Sequence, residues 1–173
     1  QEYLDWGLHA FAMSRYSGLW VAFKVLSETV DSSASVYIDP HRVEIHTPTD
    51  FVLPPDGVHI RWPDDWLGQE RRVVTVKQPA ALAYWRANKL DRLMLGRPDA
   101  RFGIVTVGKS YLDVRQALDE LGIGDAEAEA LGLAIYKVGM VWPLETEGAT
   151  AFAAGKREIL VIEEKRNLIE QQL

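Results

Sequence analysis

The sequence predicts an α/β domain, three-layered around a mostly parallel sheet, preceded by a helix, a buried strand and an irregular connection. Two observations predict it. From about residue 100 onward, apolar β-branched runs alternate with amphipathic helical stretches, the order that builds a parallel sheet. Before that point regularity fails: residues 47–69 hold Pro48, Pro54, Pro55, Pro63, Gly57 and Gly68 with no sustained period. Composition sets the outer bounds. The 173 residues suffice for one domain or two small ones. Apolar residues make up 47% and charged residues 25%, which places the chain among globular proteins rather than disordered ones. A net charge of -6 makes it a poor binder of phosphate backbones, so nucleic acid is not an expected partner. The absence of cysteine excludes disulfides, zinc-thiolate and iron–sulfur ligation, and a thiol nucleophile within these residues. No apolar run approaches the ~20 residues needed to cross a bilayer, and no signal peptide opens the chain, so a cytoplasmic location without membrane contact is expected.

The elements follow in order. Residues 2–17 read as a helix, with Leu4, Leu8, Phe11 and Ala12 at helical spacing, and Gly18 breaks it. Leu19 to Val25 is a buried-strand candidate. Ser32, Ser33 and Ser35 mark a loop. The alternating segments SVYID and RVEIH, either side of Pro40-His41, predict a hairpin. One short strand is expected at Val58 to Trp62. Pro79 is placed at the tolerated first position of a helix with the stripe Ala83, Ala87, Leu90 and Met94, ended by Gly96 and Pro98. Phe102 to Val107 is a strand. Ser110 to Leu121 is a helix, with Ser110 and Asp113 as a capping-box pair and Gly122 as its stop. Leu133 to Val138 is a strand, Glu145 to Ala154 a helix weakened by Gly148, Glu158 to Ile162 a strand, and Asn167 to Leu173 a final helix.

The chain starts at Gln1, has its first methionine at Met13, and both begins and stops inside a helical pattern. This reads as an excised piece of a longer polypeptide; the alternative is a short protein whose disordered ends were trimmed. A truncated first helix and strand would expose Phe11 or Trp20 and favour a homo-oligomer.

One string carries chemistry. Gly103-Ile-Val-Thr-Val-Gly108-Lys109-Ser110 matches the phosphate-loop pattern G-x-x-x-x-G-K-[ST], and Ile159 to Ile162 with Glu163-Glu164 imitates a strand ending in a magnesium-side acid. A phosphate loop needs its strand before the first glycine and a flexible loop after it. Here the residues between the glycines are the strong strand formers. Gly103 therefore reads as the start of a strand, and Gly108, Lys109 and Ser110 as a turn into a helix whose amides could still meet an anion.

Other constellations are thinner. His41, His46 and His59 with Asp56 have the donor types for zinc, against the simpler reading of scattered surface histidines. Glu163 and Glu164 follow a strand at the sheet's carboxyl edge, where ligands of α/β proteins bind, or else favour the N-terminus of the last helix. Trp20, Trp62, Trp66, Trp85 and Trp142 read as core or interface aromatics. No catalytic residue is assigned.

Residues 101–173, through FGIVTVGKSYLDVRQALDELGI and LAIYKVGMVWPLETEGATAFAAGKREILVIEEKRNLIEQQL, resemble the indolepyruvate ferredoxin oxidoreductases, especially the long fused bacterial form. The resemblance implies a transketolase C-terminal-like domain there. Residues 1–38 resemble the end of the pyrimidine-binding domain of the same family, and residues 39–100 its connecting region. Such enzymes use thiamine diphosphate and magnesium to decarboxylate an aryl 2-oxoacid. They pass electrons through iron–sulfur clusters to ferredoxin and give the acyl group to coenzyme A. The resemblance places all of these groups outside this chain, whose partners would be neighbouring domains of the parent polypeptide. The implied role is a non-catalytic structural domain. Two alternatives remain: a phosphate-loop nucleotide-binding protein using Gly103 to Ser110, and a stand-alone assembly module.

Overall fold

The structure is a computed structural model that describes residues 2–39 and 41–173. They form two compact units, Gln1–Asn88 and Lys89–Leu173.

In the first unit, helix α1 (Glu2–Ser17) carries Glu2 and Asp5 in its first turn and Arg15 in its last, the charge order that suits a helix dipole. Gly18 ends it at φ +69, and a Cβ there would stand 2.2 Å from the Val58 carbonyl oxygen. A short helix α2 (Ser27–Val30) follows. Farther on, α3 (Trp66–Arg72), one π turn (Val73–Lys77) and α4 (Gln78–Ala87) run on as consecutive helical segments. Helix α1 packs on α4 through aromatic groups. Trp6 meets Trp85 edge-on with centroids 6.0 Å apart, His9 Nδ1 lies 3.0 Å from the Tyr84 hydroxyl, and the Tyr16 ring is 6.0 Å from Tyr84. Buried Ala80, Ala81 and Ala83 permit this close approach. Leu4, Leu8 and Phe11, the stripe visible in the sequence, are exposed; the packed side is Trp6, His9, Met13 and Ser17.

Several expectations fail in this unit. Among its described residues no strand forms. Leu19 to Val25 is irregular, with Trp20, Phe23 and Val25 exposed. The expected hairpin is absent: Tyr37, Ile38 and Ile45 face solvent, and the Asp39 carboxylate accepts the His41 amide at 2.8 Å in a local turn. Pro40 itself lies outside the described residues. Val58 is buried but Ile60 and Trp62 are exposed, so no strand forms there either. The physical reason is common to all three: strand preference is a preference for a half-buried pleated surface, and these segments have no partner ladder. The helix expected from Pro79 begins earlier, at Trp66, where the Asp65 side chain accepts the Gly68 amide at 2.8 Å and Asp64 pairs with Arg72. The widened π turn absorbs the interruption that Pro79 makes in the hydrogen-bond ladder. The helix also stops earlier, where the Asn88 amide donates to the Tyr84 carbonyl at 2.8 Å and Lys89 turns left-handed at φ 50.

In the second unit a four-stranded sheet has the order β1-β3-β2-β4, with β1 Arg92–Leu95, β2 Phe102–Val107, β3 Leu133–Val138 and β4 Glu158–Ile162. β2 pairs in parallel with both β3 and β4, and β1 pairs antiparallel with β3. Helices α5 (Gly108–Glu120) and α6 (Asp125–Leu131) cover one face, where Val114, Leu118 and Ala128 meet Leu95 and Ile135. Helix α7 (Thr146–Ala153) and Ile169 cover the other, where Ala149 and Phe152 meet Val105, Ala134, Tyr136 and Val138. This is the three-layer, mostly parallel α/β architecture expected. β2, β3 and β4 have the ends read from the sequence.

Four details differ. Leu90 and Met94 are not on a helix; Met94 lies on edge strand β1. α5 starts at Gly108 with no side-chain cap, so Ser110 is a buried first-turn residue rather than the cap. Asp113, its expected partner, binds Lys109 Nζ at 2.8 Å. Residues 167–173 form turns closed by Gln171 N to Asn167 O (3.2 Å) and Leu173 N to Ile169 O (3.1 Å), not a regular helix. α6 was not anticipated; Glu127 closes its start by accepting the Gly124 amide at 3.2 Å.

Candidate functional site at the carboxyl edge of the sheet

β2 sends the chain onto one face of the sheet and its neighbour β3 sends it onto the other. In open α/β sheets such a switch opens a crevice beyond the carboxyl ends of the strands, where ligands bind. Here the edge is built by Gly108 to Ser110 after β2, by the segment from Gly139 to Leu144 after β3, and by Asp91 before the antiparallel β1.

On the α5 side, Gly108 turns the chain at φ +54 into a helix with no acidic residue in its first turn. Lys109 Nζ lies along the helix on the Asp113 carboxylate, at 2.8 and 3.0 Å. Ser110 is buried against the sheet. Behind it, Thr106 and Lys137 are register partners on the same face. Lys137 Nζ sits 4.7 Å from the Tyr111 ring centre, and the buried Thr106 Oγ1 has no hydrogen-bond partner among the described residues.

The glycines of the phosphate-loop-like string do different work. Ile104, Val105 and Thr106 are paired on both sides, with β3 and with β4. That stretch is ladder, not a cradle for phosphate. Gly103 lies inside β2, against Phe152 of α7.

On the α7 side a buried polar group sits at the same edge. The Asp91 carboxylate accepts the Gly139 amide at 2.7 Å. The Glu145 carboxylate caps α7, accepting the amides of Glu147 (3.1 Å) and Gly148 (2.6 Å). Burial pushes the Tyr136 phenol far above its ordinary value, and the carboxylates of Asp91 and Glu145 add to the shift. Tyr136 therefore stays protonated and acts as a donor. Its ring stacks on Phe152 at 4.9 Å, and Lys156 Nζ lies 4.2 Å over the other ring of that pair. Desolvation pulls the Lys156 ammonium below its ordinary value, against the opposing pull of Asp99. These carboxylates take backbone amides and hold a phenol. The arrangement fixes two loop exits and a helix start; it does not pair a nucleophile with a base.

The remaining candidates disperse. The Glu163 carboxylate accepts the amides of Ile169 (2.7 Å) and Glu170 (3.1 Å) and so anchors the C-terminal turns, while Glu164 faces solvent. Among the described residues no three His, Asp or Glu side chains converge as a metal site, so His41, His46, His59 and Asp56 do not assemble one. His46 is instead tied through its amide to Asn88 Oδ1 at 2.8 Å. Trp85 is buried; Trp20, Trp62, Trp66 and Trp142 are exposed. Asp91, Thr106, Tyr136 and Lys137 were not singled out from the sequence. A charged residue inside the apolar strand LAIYKV was the available signal for Lys137.

Fold and edge together define an open, doubly wound α/β domain. Residues 92–173 match the family described as "Indolepyruvate oxidoreductase domain". The chain is also 32% identical over 78 residues to the indolepyruvate oxidoreductase subunit IorA of Thermococcus kodakarensis. That match covers 45% of this chain and 11% of the relative's length. No solved structure matches the chain significantly. The resemblance to indolepyruvate oxidoreductases is thus borne out over the second unit. Among the described residues no helix is long and apolar enough to cross a membrane.

Proposed function

We propose that the chain is a non-catalytic structural part of a thiamine-diphosphate-dependent oxidoreductase. That enzyme would convert aryl 2-oxoacids such as indolepyruvate to acyl-coenzyme A, with ferredoxin as acceptor, in the cytoplasm. The observation that carries the reading is the match of residues 92–173 to the indolepyruvate oxidoreductase domain, over the α/β unit whose edge carboxylates serve packing. The donor set here does not suit the enzyme's other groups. The sequence has no cysteine for a cluster, and among the described residues no side chains converge for magnesium. In this reading those groups reside on neighbouring domains. The exposed Leu4, Leu8 and Phe11 side of α1 would meet such a domain or a second copy.

The test is an immunoblot of a denatured extract, followed by an indolepyruvate-dependent ferredoxin reduction assay of the captured protein. A band several times larger than 19.5 kDa with that activity is expected. A band near 19.5 kDa without activity removes this reading and favours a stand-alone assembly module. An anion role for Gly108, Lys109 and Ser110 rests on the uncapped start of α5. Inorganic phosphate should shift those three amides in NMR spectra, and unmoved amides dismiss it.

A further inference from the structure

The two edges of the sheet in the second unit differ. β1 is short, antiparallel and irregular in register between Leu93 and Leu95, features that blunt an edge against further pairing. β4 has none of these. It runs in unbroken parallel register with β2 and, among the described residues, has no strand on its other side. It holds no lysine, proline or bulge, and Leu160 stands 57% exposed on it. An open apolar edge of this kind is a template for another strand.

The backbone shows which groups are open. The Arg157 amide donates to the Arg101 carbonyl at 2.8 Å. Alternation along the strand then directs the amides and carbonyls of Arg157, Ile159 and Val161 toward β2, and those of Glu158, Leu160 and Ile162 outward. A two-fold axis at Leu160 pairs all of the outward groups between two antiparallel copies of β4. In that register Leu160 meets Leu160 of the second copy, and Ile159 meets Val161. Glu158 falls opposite Ile162 rather than opposite another acid. Exposed Arg157 falls opposite Glu163, on the same face of the sheet. The run KREILVIEE is thus self-complementary, with cations at its start, acids at its end and an apolar centre. We propose that β4 is a self-association edge, through which two copies of this chain join their sheets antiparallel into one continuous sheet. A single-strand isologous contact buries less surface than a permanent dimer, so the dimer forms with rising concentration.

The test is sedimentation velocity of the whole chain from about 5 to 500 µM, which should show a monomer–dimer equilibrium with a dissociation constant of about 10–100 µM. Leu160→Lys, at an exposed site, sets two ammonium groups face to face at the axis. It should weaken the dimer at least about tenfold and leave the unfolding midpoint unchanged. Arg157→Glu sets an acid opposite Glu163 and should weaken the dimer about threefold. The chain has no cysteine, so Leu160→Cys supplies a single thiol. Hydrogen-bonded antiparallel partners lie about 5.5 Å apart at Cα, within reach of a disulfide. Mild oxidation should therefore link Leu160→Cys at least about tenfold faster than Leu112→Cys, another exposed site. A chain that stays monomeric to about 500 µM overturns the proposal. So does a dimer that survives Leu160→Lys, which assigns association to another surface, or equal oxidation rates for the two cysteine variants.

Discussion

Gly103 lies so close to Phe152 that a Cβ on the glycine would stand 2.9 Å from the ring's Cε1. The Lys156 Cδ would be at 2.8 Å. The first glycine of the phosphate-loop-like string is therefore a packing glycine, required where α7 crosses β2. Gly103→Ala should destabilise the second unit by about 1–3 kcal/mol, as overpacking of a filled interface does. Urea unfolding measures it; an unchanged midpoint would show that the ring moves aside without strain.

Lys109, the lysine of the same string, is spent on Asp113 along the solvent side of α5. Lys109→Ala should change stability by no more than about 0.5 kcal/mol, the worth of an exposed helical pair. It should leave magnesium–ATP affinity where it was. Tight nucleotide binding abolished by that substitution would instead restore the phosphate-loop reading.

Glu145 is buried and closes the start of α7 through two amides. Glu145→Ala should cost about 1–2 kcal/mol, the usual loss for an N-cap. Glu145→Gln keeps an acceptor oxygen and should cost less. Equal unfolding midpoints for the two variants would mean that the cap contributes nothing beyond its volume.

Tyr84, nearly without solvent contact, has its phenol pushed up to about 12 by burial. The folded value lies above the unfolded one, so the protonated phenol's contribution is complete below about pH 10 and is lost as pH rises toward 12. The loss is on the order of 2–3 kcal/mol. Unfolding midpoints of the first unit should hold up to pH 9 and fall from about pH 10 upward. Tyr84→Phe should flatten that fall relative to its own neutral-pH midpoint; an equally steep fall would assign the effect to other groups.

The legible and illegible parts divide along a physical line. FGIVTV and LAIYKV announced β2 and β3 because central parallel strands are covered on both faces and so read as mostly apolar runs, broken here only by Thr106 and Lys137 among charged or hydroxyl-bearing aliphatic side chains. The α5 period was equally plain, since Tyr111, Val114 and Leu118 share one face against the sheet. β1 was hidden because Leu90 and Met94 happen to continue the helical spacing of Ala83 and Ala87, and a four-residue edge strand has little signature of its own.

Residue order alone carries the second unit's α/β class, three of its four strands and their likeness to one family. Local periodicity and burial demand were enough for that. The rest depends on long-range packing. It left Leu19 to Val25 and the expected hairpin without a ladder, because pairing depends on a partner that no local pattern specifies. It brought Asp91, Tyr136 and Glu145 together across 54 residues of chain. Such groupings arise from how strands and helices stack, and adjacency in space leaves no trace in spacing along the chain.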